Sequence, residues 1–280
     1  IPQVYIDKER RWWVMTADTK AGIFDTHSFR YTEVPIRETT REKLNIEKTF
    51  LETPDGKLLL HFRKTSKLSQ YSPTENVFVP SSLIPFPASL PVNYIYYDKI
   101  SRHYFLSTDS GIVVRSAAGQ KTKQQATDVN AVLKSTEGER HVNYLYIDAG
   151  RNVFFEQWPK ENTHPILTVV NLKTAARKRY DLQSDYGLGY HQIKAILEQR
   201  NGRRWIYGLP FIAGYTNMAG TLQFLKKDYN KERELKFNQV YDMYEDRQQN
   251  IWICTDYGLY LFNPDAQLFH NYTLTTPKRF

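Results

Sequence analysis

Residues 238–273, NQVYDMYEDRQQNIWICTDYGLYLFNPDAQLFHNYT, read as four short strands joined by turns. VYDMYE alternates and is rich in β-formers, DRQQN is a polar turn, and IWICT is apolar and β-branched. DYG makes a second turn before LYLF, and NPDAQ a third before LFHNYT. Short runs of this kind, separated by turns of three to five residues, describe one antiparallel meander. A sheet that small cannot stand alone in water and needs neighbours of its own kind.

The neighbours are in the sequence. With Trp252 as reference, the matching positions upstream are Trp205, Phe154, Phe105, Leu59 and Trp13, spaced 46 to 51 residues apart. Each follows a polar turn: DKERR before Trp12, TPDGK before Leu58, DKISR before His103, DAGRN before Val153, QRNGR before Arg204 and DRQQN before Ile251. Each turn follows a strand-like run. Six repeats account for nearly the whole chain, with bounds near 1–43, 44–91, 92–141, 142–191, 192–237 and 238–280.

Repeats of four strands that stack face to face predict an all-β fold, a β-propeller of four-stranded antiparallel blades forming one domain over 1–280. Six repeats are visible; a seven-bladed propeller with one blade missing or divergent is the alternative, and an open β-solenoid a further one. In a propeller the turns after strands one and three lie on one face. The turns after strand two and the connectors between blades lie on the other. The tight turns fall on the first face and the long or aromatic insertions on the second, where ligand sites on a rigid scaffold are expected.

Composition agrees with this. Aromatic residues are abundant, 20 Tyr, 15 Phe and 5 Trp, which suits large side chains packed between sheets. No run of 18 apolar residues is present, so no membrane-spanning helix is expected. The chain begins inside a strand without a signal peptide and reads as a mature or excised piece of something longer. The single cysteine, Cys254, sits mid-strand and reads as a small packing residue rather than part of a disulfide framework. The net charge of +8 comes from basic residues scattered through the turns, so a solvated surface is expected and nucleic acid is not.

The connectors differ. PSSLIPFPASLP (80–91) holds four prolines and should lack regular structure. The polar stretch 119–140 should hold a short helix or a loop. QSDYGLGYH (183–191) joins repeats four and five. The second turn of repeat four, EQWPKENTHP, is enlarged, and that of repeat five, GLPFIAGYTNMAG (208–220), is the longest.

The sixth repeat resembles the two-component regulator propeller repeat, which runs strand, Asp, turn, aliphatic-Trp-aliphatic-small-Thr, turn, Gly-Leu, strand. Val240, Asp246, Ile251, Trp252, Ile253, Thr255, Gly258 and Leu259 match it. Repeat three matches at Asp98, Phe105, Thr108, Gly111 and Ile112, and repeat one at Asp7, Trp13 and Thr16. Repeats two, four and five place Phe62, Gln157 and Gly208 where the Thr should be. The resemblance implies a periplasmic sensor region of a membrane-anchored histidine kinase or hybrid two-component system. It also implies a nutrient ligand such as a glycan fragment, and signalling through a homodimer. Any kinase would lie outside this chain, which is not expected to be an enzyme or to touch the membrane itself.

Sequence chemistry offers little else. The seven histidines, His27, His61, His103, His141, His164, His191 and His270, form no HExxH or other metal-ligand spacing, and no cofactor is expected. GLGYH is not a phosphate cradle. Asp7, Asp98, Asp148 and Asp246 recur at one repeat position, best read as caps of the turn that follows rather than as a ring of carboxylates. The site expectation is positional: Trp158, Tyr186, Tyr190, His191, Phe211 and Tyr215 fall in the second turns of repeats four and five and in their connector. Aromatic rings beside polar groups can stack on sugars and bind their hydroxyls; packing of the long loops or a dimer contact are the other readings. A protein-interaction scaffold, or a propeller glycan hydrolase or lyase, are the alternative functions.

Overall fold

The computed structural model describes residues 3–37, 46–86, 90–116, 123–159, 164–216, 220–226, 235–263 and 268–272. It is a β-propeller fold built of six antiparallel sheets, each lying within one sequence repeat. The chain divides into two compact units, Ile1–Asn143 and Tyr144–Phe280.

In the first unit, blade one is β1 (Gln3–Ile6), β2 (Trp12–Met15), β3 (Ala21–Asp25) and β4 (Arg30–Glu33). Blade two is β5 (Lys48–Glu52), β6 (Leu58–Phe62), β7 (Lys67–Ser72) and β8 (Val77–Pro80). Blade three shows three strands among the described residues, β9 (Val92–Asp98), β10 (His103–Thr108) and β11 (Gly111–Ser116). Helix α1 (Lys123–Ser135) follows, so the polar stretch takes the helical of its two expected forms.

In the second unit, blade four is β12 (Val142–Ile147, which begins at the unit boundary), β13 (Asn152–Gln157), β14 (Ile166–Asn171) and β15 (Arg177–Tyr180), followed by α2 (Leu182–Tyr186). Blade five is β16 (Gln192–Glu198), β17 (Arg204–Leu209), β18 (Ile212–Tyr215) and β19 (Gln223–Phe224). Blade six is β20 (Val240–Glu245), β21 (Ile251–Thr255), β22 (Gly258–Asn263) and β23 (Leu268–Tyr272). Each sheet keeps its strands in chain order, as a meander must.

All six reference residues lie on the second strand of their sheet. Trp13, Leu59, Phe105 and Phe154 are fully buried and Trp205 nearly so. Consecutive blades pack through them: Trp13 against Phe50 and Phe78 of blade two, and Trp205 among Ile253, Tyr260 and Phe262 of blade six. Leu59 and Leu68 of blade two meet Val92, Tyr104 and Leu106 of blade three.

The repeat motif has a physical basis at both turns. The recurring aspartate caps the first turn. Asp7 Oδ1 accepts from Arg11 N at 2.9 Å, Asp148 Oδ1 from Asn152 N at 2.7 Å, and Asp246 Oδ1 from both Gln248 N and Asn250 N at 2.9 Å. These are side-chain mimics of a backbone turn. The Thr-x-x-Gly signature clasps the second turn. Thr255 Oγ1 donates to Gly258 O at 3.1 Å and accepts from Tyr257 N at 3.0 Å; Thr108 does the same with Gly111 O and Ser110 N. Gly258 and Gly111 hold φ of +135° and +112°, where a side chain would strain the backbone.

The connector between repeats four and five holds a short helix, which Asp181 caps through bonds from Gln183 N and Ser184 N and which Gly187, at φ +69°, ends in the left-handed region. One sequence expectation needs correction. The segment 208–220 is not one long second turn. Ile212 and Ala213 are fully buried and pair with Tyr207 and Ile206, so β18 forms inside it and the β17–β18 turn shrinks to Pro210 and Phe211.

Candidate functional site

The six expected site residues all lie in the second unit but do not form one surface. Trp158 follows β13, Tyr186 ends α2, and Tyr190 and His191 lead into β16. Phe211 sits in the tight β17–β18 turn and Tyr215 ends β18.

Burial separates them. Tyr190 is 58% exposed, while His191, Phe211 and Tyr215 are 0%, 2% and 3% exposed. Trp158 and Tyr186 are half-buried. The accessible members are therefore Trp158, Tyr186 and Tyr190. The rings of Trp158 and Tyr190 stand 6.3 Å apart, inclined at 58°, and the Gln192 side-chain amide donates to the Tyr190 hydroxyl. Such a tilted aromatic pair with an amide beside it offers an apolar wall and hydrogen-bonding groups together.

The buried members form a support beneath. His191 packs against Phe211 at 6.4 Å, Phe211 against Phe224 at 5.9 Å, and Phe224 against Tyr186 at 4.9 Å. His191 Nδ1 lies 2.9 Å from Gly189 O, which fixes the backbone just before Tyr190. The Tyr186 hydroxyl accepts from Leu222 N at 3.0 Å, tying α2 to the segment before β19. Tyr215 belongs elsewhere: it packs edge-on against Phe154 at 5.0 Å and against Tyr180, between blades four and five. Burial pushes its hydroxyl pKa up to about 12, so it stays neutral.

Sequence reasoning missed His164, Asp181 and Phe224. His164 Nε2 stands 2.9 Å from Asp181 Oδ1, close but out of line for a hydrogen bond, and its ring lies 5.7 Å from that of His191. Burial works against the Asp181 charge, but the Ser184 backbone N–H, His164 and the Gln183 N–H outweigh it and hold its pKa below the usual carboxylate range. The available signal was Asp-x-x-x-x-Tyr-Gly, a helix cap and stop flanking one turn.

Among the described residues no group of three or more His, Cys, Asp or Glu could hold a metal ion, and no helix is long and apolar enough to cross a membrane. Two hollows of about 320 and 400 Å³ lie in the first unit, one beside Thr136–Arg140 and one beside Lys67–Ser69; neither touches the aromatic cluster.

Residues 234–257, which include β20 and β21, match the family described as two component regulator propeller. No curated protein matches the chain. Among solved structures the chain is similar to an extracellular domain of B. thetaiotaomicron described as that of the hybrid two component system BT3049. That likeness has TM-score 0.65 and 16% identity, over 97% of this chain and 34% of that one. It is also similar to PorZ, a surface component of the type-IX secretion system of Porphyromonas gingivalis (TM-score 0.58, 12% identity, 98% of this chain and 41% of that one). A third likeness is to virginiamycin B lyase from Staphylococcus aureus (TM-score 0.53, 10% identity, 98% and 84%). The chain spans about a third of the length of the BT3049 domain. At these identities the likenesses are of fold.

Proposed function

We propose that this chain, which carries a two component regulator propeller repeat at residues 234–257, is the extracytoplasmic ligand-sensing module of a two-component signalling protein. The family match is the observation that carries the reading. The likeness to an extracellular domain of a hybrid two component system supports it. The ligand is a carbohydrate or another small nutrient with hydroxyl groups. Trp158 and Tyr190 provide the stacking surface, with Tyr186 beside them and His191 and Phe211 holding the loops from below. The module works on the periplasmic side, in a polypeptide that reaches the membrane and the kinase through other segments, and signals as a homodimer.

A thermal-shift screen against neutral and anionic oligosaccharides tests this, because binding to the native state alone raises the melting temperature with ligand concentration. A concentration-dependent rise with no product formed is the expected result. Consumption of the sugar would point to an enzyme, and a flat screen to a scaffold.

A further inference from the structure

Blades three, five and six share an irregularity in their first strand. β9, β16 and β20 each bulge at the same repeat position, where Asn93, Lys194 and Tyr241 stand as an extra residue opposite the second strand. A bulge re-aims the side chain it carries and is often found beside a site.

In blade three the bulge residue serves the fold. Asn93 is 2% exposed, and its side-chain amide donates to Asp109 Oδ1 at 3.0 Å and to Val142 O at 3.1 Å. Tyr241 in blade six is half-buried. Lys194 in blade five is different: it is exposed, and its ammonium makes no hydrogen bond or ion pair among the described residues. The bulge that holds it brings Lys194 N and Gln192 O so near β17 that no side chain fits at Gly208 without moving the strand.

Two carboxylates lie near the bulge, and both are engaged within the protein. Asp242 Oδ1 accepts from the Tyr207 hydroxyl at 3.0 Å and from Met243 N at 2.8 Å, and acts on Lys194 only through space. Glu156, 4% exposed, accepts from Ile193 N through Oε1 at 3.3 Å. Neither forms an ion pair with Lys194, so the ammonium has no counter-ion in contact.

Lys194 continues the proposed stacking surface. Tyr190, Gln192 and Lys194 are exposed, while His191 and Ile193 between them are buried. The Gln192 amide donates to the Tyr190 hydroxyl, and Lys194 follows Gln192 along β16 by two residues, roughly 7 Å. A short oligosaccharide stacked on Tyr190 and extending along β16 brings its substituents to this ammonium.

We infer that Lys194 binds an anionic group, a carboxylate or a sulfate, on the ligand held by Trp158 and Tyr190, which makes that ligand an acidic rather than a neutral oligosaccharide. The inference rests on the sensor reading above and adds the ligand's charge to it. A hydrogen bond from an ammonium to an anion is stronger than one between neutral groups, so one such contact selects between otherwise identical sugars.

The test is calorimetric titration of wild type, Lys194→Gln and Lys173→Gln with a panel of short oligosaccharides in matched pairs. Uronic-acid oligomers are paired with the same oligomers whose carboxyl groups have been reduced to alcohols, and sulfated oligomers with their desulfated forms. Lys173 is exposed in the β14–β15 turn, at the far end of β14 from His164, so its variant changes the net charge equally without touching the site. Wild type should bind the acidic member of at least one pair about tenfold or more tighter than its neutral form, and the kind of pair tells carboxylate from sulfate. Lys194→Gln should bind both members within about threefold of each other, and Lys173→Gln should keep the wild-type preference. Equal or tighter binding of the neutral forms overturns the inference and leaves the sensor reading standing. So does a preference that survives in Lys194→Gln, or one lost equally in Lys173→Gln. If folded wild type binds no member of the panel, the sensor reading itself falls and this inference with it.

Discussion

The Trp13 indole donates its Nε1–H to Asp7 Oδ2 at 2.8 Å, a buried bond that joins the core of blade one to the cap of its first turn. It recurs from Trp252 to Asp246 at 3.3 Å, and from Trp205 to Gln199 Oε1 at 2.8 Å. The acidic or amide residue and the tryptophan six places later are therefore one unit. The carboxylate or amide closes the turn with one atom and satisfies the indole with another, so a large ring can be buried without an orphaned donor.

Replacing Asp7 by alanine should destabilise the chain by about 2 kcal/mol, since the Trp13 and Arg11 donors lose their acceptor inside the protein. Burial opposes the Asp7 charge, but the Trp13 indole, the Arg11 backbone N–H and the Arg11 guanidinium prevail and lower its pKa. A carboxyl with a lowered folded pKa contributes stability above the unfolded value, near pH 4, and loses it as pH falls further. Denaturant titrations of wild type and Asp7→Asn should therefore converge below about pH 4.

His61 gives a pH dependence in a different window. It is 1% exposed and packs edge-on against Phe86 at 5.7 Å; burial, with Arg63 nearby, lowers its pKa to about 3. The folded chain keeps it neutral while the unfolded chain protonates it near pH 6.5. Its contribution is thus intact above pH 6.5 and falls from there towards pH 3, at about tenfold in the unfolding constant per pH unit. His61→Leu should flatten the stability profile between pH 6 and 4. An unchanged slope would show that other groups account for it.

How legible this was depends on the element. The second strands could be read because an aromatic or aliphatic residue and a preceding polar turn repeat with little variation. The motif at Thr255 and Gly258 could be read because two turn bonds demand those residues. Blade five was misread because glycine and proline in GLPFIAGYTNMAG signal a turn locally, whereas Ile212 and Ala213 are buried between β17 and β19 by tertiary packing. That misreading placed Phe211 and Tyr215 on a loop surface. The support role of Phe224, which lies beyond that segment in β19, was hidden because the residue has no turn or repeat signature of its own.

Gly208 stands where repeats one, three and six carry threonine, and a Cβ there would come 1.9 Å from Gln192 O and 2.8 Å from Lys194 N. Both are backbone atoms of β16, which already bulges between Ile193 and Ala195. Gly208→Ala should cost about 3 kcal/mol, because the strand rather than a flexible side chain must move. Thermal melting of this variant beside Gly202→Ala, whose Cβ meets nothing within 4 Å, separates crowding from backbone strain.

The sensor account is tested most directly by calorimetric titration of the oligosaccharide found in the thermal-shift screen into wild type, Trp158→Ala and Tyr190→Ala. Both side chains are accessible, so the variants should fold as wild type does. The account predicts saturable binding to wild type, affinity weakened about tenfold or more in each variant, corresponding to roughly 1.4 kcal/mol of lost stacking, and no turnover of the sugar. Equal affinity in all three proteins would contradict it.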